Sequence, residues 1–292
     1  MSPPPSPPTP GDLFQHWKGG LYRIDAIAVR EADGAPDVVY RPLADPAGRS
    51  WTRPLASFVE PVEDLDGATR PRFVPIALPD GVALREAAAA GVPADLVEAT
   101  LARYREPQRH YHAEWHVRDV FARARAQGLR LQRAQVLAML FHDAVYVAGA
   151  PAGANEALSA LLLRQAAHGR EALPPPDVEA ACAMIEDTAT HRARDEASRT
   201  VVALDLATLG DAAARFDAWT ELVWLEYRHL FAGDADPRGA FLQRRLRVLG
   251  ALLEAIREQA PAPAGLAEGL AANLQRLARR TAGTPGRAGG SA

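Results

Sequence analysis

Apolar positions alternate near the start of the chain, then recur at three- and four-residue intervals through most of its remaining length. In LYRIDAIAVR (21–30), Tyr22, Ile24, Ala26 and Ala28 stand against mostly polar neighbours, a period-two strand pattern. A second strand is predicted at Val38-Val39-Tyr40-Arg41, with Asp33-Gly34 marking the turn between the two. Ser50–Arg53 and Phe58-Val59 add short strands, so residues 12–62 read as a small antiparallel, barrel-like β module. Pro61, Pro71, Pro75 and Pro79, with acidic residues among them, predict a linker over 63–81. Beyond it the period is helical, with helices expected at 94–105, 112–127, 133–147, 155–168, 177–191, 200–209, 211–232, 237–258 and 264–280. Asn155 and Asp211 are candidate N-caps, and Gly128, Gly169 and Gly233 candidate stops. The expected fold class is mainly α: an all-α domain over 82–281 preceded by a small antiparallel β module. The Pro-rich residues 1–11 and the Gly/Ala-rich 282–292 are expected to be disordered tails.

Composition narrows the function classes. A net charge of −3 gives no electrostatic reason to expect a nucleic-acid or anionic-membrane partner. Lys18 is the only lysine and every other cation is arginine, a bias of GC-rich coding that makes the arginines weak evidence of phosphate binding. The single cysteine, Cys182, rules out an intramolecular disulfide or a Cys-rich zinc knuckle and reads as a small buried hydrophobe. With no basic n-region, no apolar h-region and no membrane-length apolar run, the expected location is the cytoplasm.

Candidate chemistry concentrates in 109–147. His112 and His116 stand four positions apart on one expected helix and so share a face. On the next, Val136, Leu137, Leu140, Phe141, Ala144 and Val145 form one apolar stripe with His142 and Asp143 beside it. A carboxylate there is costly without a cation, and no basic residue lies within one turn of it. A metal ion would satisfy both side chains; the structural alternative is a helix-end histidine and a surface aspartate. HAEWH (112–116) is not a zinc-protease HExxH, because Glu114 sits at the wrong position for the general base.

A histidine, then His-Asp some 25 residues on, then a distant Asp is the pattern of the HD superfamily of metal-dependent phosphohydrolases. The chain resembles a bacterial branch of that superfamily in Tyr104-Arg105-Glu106-Pro107, Arg109-His110-Tyr111-His112, His116, FHDAVY (141–146), Asn155-Glu156, Ser159-Ala160, Thr188, His191, LDLATLG (204–210) and Glu226-Tyr227. The resemblance implies an HD-type helical domain with His116, His142, Asp143 and Asp205 as ligands of one divalent metal (Mn, Fe, Ni, Zn or Mg). Asp205, inside the apolar run VVALDLATL, is in any case hard to justify without a cation. The resemblance further implies hydrolysis of a small-molecule phosphate ester or nucleotide by a metal-bound hydroxide at the Asp143 centre. Glu156, His191 and His112 are then candidates for positioning water or protonating the leaving group, and Arg109 for pairing with the substrate phosphate. For these four the alternative is a structural hydrogen bond or surface charge. His191 and His168 could hold a second metal. A non-catalytic HD-fold ligand-binding or regulatory protein is the rival reading. Two positions depart from the branch: Ala203 where a further Asp is usual, and Trp224 where an Arg often precedes Glu-Tyr.

The β module resembles a small bacterial domain family of uncharacterised function through HWKGGLYRIDAIAV, VVYRPL and WTRPLASFVEPV. No activity comes with that resemblance. His16, Trp17, Lys18, Tyr22, Trp51 and Arg53 could line an aromatic and basic surface, or the aromatics could be the core of a domain too small to have another.

Overall fold

The structure is a computed structural model and describes residues 7–18, 20–43, 49–63, 69–77, 81–258 and 265–282. Residue contacts divide the chain into two units, Met1–Val82 with Ala113–Asp119, and Ala83–His112 with Val120–Ala292.

The first unit carries an antiparallel five-stranded sheet in the order β4-β3-β2-β1-β7, built from β1 (Leu13–His16), β2 (Leu21–Val29), β3 (Pro36–Pro42), β4 (Trp51–Pro54) and β7 (Phe73–Ala77). A short pair, β5 (Pro61–Glu63) and β6 (Thr69–Pro71), adds a second ribbon. Gly34, at φ +70°, closes the β2–β3 hairpin where Asp33-Gly34 predicts the turn. The alternation in β2 is interrupted between Ile24 and Ala26, where the register with β3 shifts. A bulge of this kind turns the following side chains, so Ile24 is buried while Ala26 is only half-buried. Phe14, Ile24, Val38, Tyr40, Phe58 and Phe73 form the core, with the Phe58 and Phe73 rings stacked at 4.1 Å.

Three expectations change here. The strand expected at Phe58-Val59 is a helical turn, α1 (Leu55–Val59), because Leu55 and Phe58, three apart, both turn onto the sheet. The linker expected over 63–81 contains β6 and β7, and β7 pairs with β1, so the β module extends to Ala77. Pro75 fits its strand because β7 is a sheet edge, where a missing N–H is tolerated, and Pro71 ends the short strand β6. The described sheet has two edges, β4 and β7, rather than a barrel closure. The tails expected at 1–11 and 282–292 lie mostly outside the described residues.

The remaining elements are helical: α2 (Val82–Ala89), which is absent from the expected helices, and then, as the periodicity predicts, α3 (Ala94–Arg103), α4 (Glu114–Ala126), α5 (Arg133–Phe141), α6 (Ala154–Ala167), α7 (Pro175–Thr190), α8 (Glu196–Leu206), α9 (Ala213–Tyr227), α10 (Pro237–Glu258) and α11 (Leu266–Ala282). None is long and apolar enough to cross a membrane. Every residue of α5 from Ala134 to Phe141 is buried, the condition of a helix packed on all sides. It contacts α3, α6, α7 and α8. A second core joins α8, α9, α10 and α11 through Val202, Leu206, Phe216, Leu249, Leu253 and Leu270.

Two helix ends matter for the site. The helix expected over 133–147 stops at Phe141, leaving His142 and Asp143 in the turn after it. The backbone beyond is taken over by side chains: Ser159 Oγ meets the Val145 N–H (3.0 Å), and the Asn155 amide clasps both polar groups of Val147 (3.0 and 3.3 Å). Asn155 is therefore a clasp and not the N-cap of α6, a place held by Gly153 at φ +77°. Ala212, not Asp211, caps α9; the Asp211 carboxylate instead accepts from Arg123 (2.8 Å) and Trp219 Nε1 (2.8 Å). The helix expected from 112 begins at Glu114, so His112 lies before it and does not share a helical face with His116.

Candidate metal centre

His116 from α4, His142 and Asp143 from the turn after α5, and Asp205 from α8 each offer a ligand atom, all within 4.8 Å of one another. The first three are buried and Asp205 is half-buried. His142 Nε2 lies 3.1 Å from Asp143 Oδ2 and 3.5 Å from Asp205 Oδ1. Its Nδ1 faces the Met139 carbonyl at 2.9 Å, which fixes the ring and leaves Nε2 as the ligand nitrogen. Two carboxylates held together away from water need positive charge. Burial opposes a charge on His142, but Asp143 and Asp205 raise its pKa well above the ordinary imidazole value. Burial likewise works against the Asp143 carboxylate, which the His142 and His112 rings nevertheless hold down at about 2. A set of two imidazoles and two carboxylates in this arrangement fits a divalent metal ion.

The turn bearing His142 and Asp143 is braced by two side chains that the sequence places elsewhere. Tyr104 Oη donates to the Leu140 carbonyl (3.0 Å) and accepts from the Asp143 N–H (3.1 Å). Arg109, only 6% exposed, donates from Nη1 to the Asp143 (2.6 Å) and His112 (3.3 Å) carbonyls, from Nη2 to the Ala144 carbonyl (3.0 Å), and from Nε to Glu106 (3.1 Å). The phosphate-pairing role expected for Arg109 is thereby corrected: four of its five N–H groups are spent on this brace, and its side chain is 2% exposed.

Glu226 is the residue that the motif pieces contain without revealing its job. Its Oε1 accepts the backbone N–H groups of His110, Tyr111 and His112 (2.8, 2.8 and 2.9 Å), and Oε2 meets His112 Nδ1 at 2.8 Å. Although it is buried, His112 and these N–H groups keep its pKa below the usual value. The His112 pKa is raised, Glu226 and Asp143 outweighing burial, and its ring stacks on Tyr146 at 3.7 Å. One signal for Glu226 was available: a lone carboxylate in the apolar stretch LVWLEY, the same signal as at Asp205.

His112, Asp143, Glu156, His191 and Asp205 line one cavity of about 390 Å³. Burial raises the Glu156 pKa, Asp143 and Asp205 adding to the effect and His191 opposing it. Among the described residues His191 is the one non-glycine at positive φ (53°), closing α7 in the left-handed conformation that costs a side chain strain. His168 lies at the far end of α6 from Glu156, roughly 20 Å along the helix axis. It lines a different hollow with Arg164 and Pro174, so the second-metal pairing of His168 with His191 is not brought together. Ala203 lines yet another hollow, whereas Trp224 packs on Phe241, a wall of the cavity (5.2 Å).

In the β module the two readings of the aromatics divide. His16 and Tyr22 rest against Phe73 (4.9 and 5.7 Å), whereas Trp51 is 50% exposed and Lys18 Nζ sits 4.9 Å over the Trp17 ring. Residues 12–75 match a family described as "Protein of unknown function (DUF1653)". No curated protein matches the chain.

Proposed function

We propose that the chain is an HD-type metal-dependent phosphohydrolase acting on a small-molecule phosphate ester or nucleotide. The observation that carries the reading is the convergence of His116, His142, Asp143 and Asp205 within 4.8 Å, with Asp143 and Asp205 also facing the cavity. A divalent ion held by these four would supply a Lewis acid for a phosphoryl oxygen and a water of lowered pKa. The chain's own residues divide the remaining work. Asp143 and Asp205 orient groups at the cavity floor. Glu226 commits His112 Nδ1, so proton exchange with a substrate falls to the other ring nitrogen. Glu156, with its raised pKa, can hold a proton for a leaving oxygen. His191, the left-handed residue that closes α7, lines the same cavity.

The test is metal analysis of purified protein followed by a phosphoester and nucleotide panel with added Mn²⁺, Ni²⁺ or Mg²⁺. About one divalent ion per chain and turnover of a panel member are expected, both lost in Asp143→Ala. Equal metal content in Asp143→Ala and wild type would sink the site assignment. Metal uptake without turnover would move the reading to a non-catalytic HD-fold sensor.

A further inference from the structure

With Arg109 committed to the brace, the cavity needs another cation if it is to accept a phosphate beside Asp143, Glu156 and Asp205. One face of α10 provides two. Phe241, Arg244, Arg245, Val248 and Leu252 follow the three- and four-residue spacing of a single helical face, and all five line the cavity. Arg245 is half-buried; its Nε donates to Thr220 Oγ1 (3.1 Å) and its guanidinium lies 5.7 Å over the Phe216 ring. Burial pushes its pKa down to about 10, with Tyr111 and Tyr227 opposing and Arg238 adding to the effect, so it stays cationic at neutral pH.

Neither Arg244 nor Arg245 has a carboxylate partner among the described residues. Other arginines of this helical region do: Arg123 with Asp211 (2.8 Å), Arg194 with Asp187 (2.7 Å) and Arg276 with Asp217 (2.7 Å). The half-buried Arg245 guanidinium, without a counter-ion, is costly in the free protein and ready for an anion, and the exposed Arg244 stands next to it on the same helical face. Around the pair the wall is apolar. Phe241 is held by Trp224 and Phe231 (5.2 and 5.8 Å), and Val248, 57% exposed, stands at the surface. A cavity of about 390 Å³ has room for a phosphate and one ring-sized group.

We propose that Arg244 and Arg245 receive the substrate's phosphate and that the Phe241–Val248–Leu252 wall receives its organic part. The substrate class is then a phosphate monoester of a small aromatic or otherwise apolar alcohol. The substrate statement rests on the phosphohydrolase reading; the anion pocket does not.

The experiment is calorimetric titration of the full chain, metal-loaded and after chelation, with phenylphosphonate and methylphosphonate, whose C–P bonds resist hydrolysis. Phenylphosphonate is expected to bind about tenfold more tightly than methylphosphonate. Arg244→Gln, an exposed position, should weaken both by about tenfold and keep their ratio, with Arg244→Lys recovering part of the loss. Val248→Asn should reduce the ratio and leave methylphosphonate alone. Unaltered metal content and thermal unfolding in these variants check that the fold is intact. Equal affinity for the two phosphonates, or unchanged binding in Arg244→Gln, overturns the proposal. Phenyl phosphate turnover separates it from the reading beneath it. Arg244-dependent binding with no turnover leaves the anion pocket standing and removes the hydrolase. Turnover with an unchanged KM in Arg244→Gln does the reverse.

Discussion

Arg109 and His191 show how little a residue's type says about its task until its neighbours are known. The guanidinium of Arg109 is a phosphate-binding group by chemistry and a brace by position, because three carbonyls and Glu106 reach it first. Arg109→Met should therefore cost stability, about 3–5 kcal/mol in denaturant unfolding, the range for removing one partner of a buried charged network. A loss of under 1 kcal/mol would show that the brace is dispensable. His191 makes the opposite case. Its left-handed backbone is unfavourable for any residue with a Cβ, so His191→Gly should keep or slightly raise the unfolding midpoint. Turnover should fall in the same variant, and a fall in both quantities would mark the ring as structural.

At the scale of elements, helix ends decide where the chemistry sits. The apolar pattern of 133–147 continues past Phe141, yet α5 ends there because Arg109, Ser159 and Asn155 offer its following backbone better partners than another helical turn would. The junction of α7 and α8 works similarly. Buried Asp187 accepts from Arg194 (2.7 Å) and from Ser198 Oγ (2.5 Å), tying the two helices together. Burial alone would raise its pKa, but these partners bring it below the ordinary carboxylate value. A group whose folded pKa is depressed stabilises the fold above its unfolded pKa, near 4, and loses that contribution as pH falls through the folded value. Unfolding free energy should thus drop from about pH 4 downward, and Asp187→Asn should flatten that limb while costing about 1–3 kcal/mol at pH 7. An identical acid limb in the variant would remove Asp187 from the account.

For the molecule as a whole, the proposed metal and the fold would be linked by mass action. An ion bound only by the native state adds about 2.7 kcal/mol at a hundred times its Kd, so chelation should lower the melting temperature and Mn²⁺ should restore it. Asp205→Asn should abolish the difference, and a chelator-insensitive Tm in wild type would argue against a site assembled by the fold. That assembly is long-range: His116, His142 and Asp205 come from three separate segments, and Glu226 reaches back to residues 110–112 from the end of α9.

Features that are local or chemically costly are legible in the amino-acid sequence. Helical and strand periods are set by neighbouring residues, so the division into a β module and an all-helical region can be read directly. Asp143 and Asp205 stand out because a carboxylate in an apolar run needs a cation or hydrogen-bond donors wherever it folds. Tertiary contacts, in turn, settle where α5 stops, that 69–77 joins the β module, that Arg109 braces a turn and that His191 is left-handed. Each of these depends on hydrogen-bond or packing partners that compete for the same groups in space, and no local pattern records which of them wins.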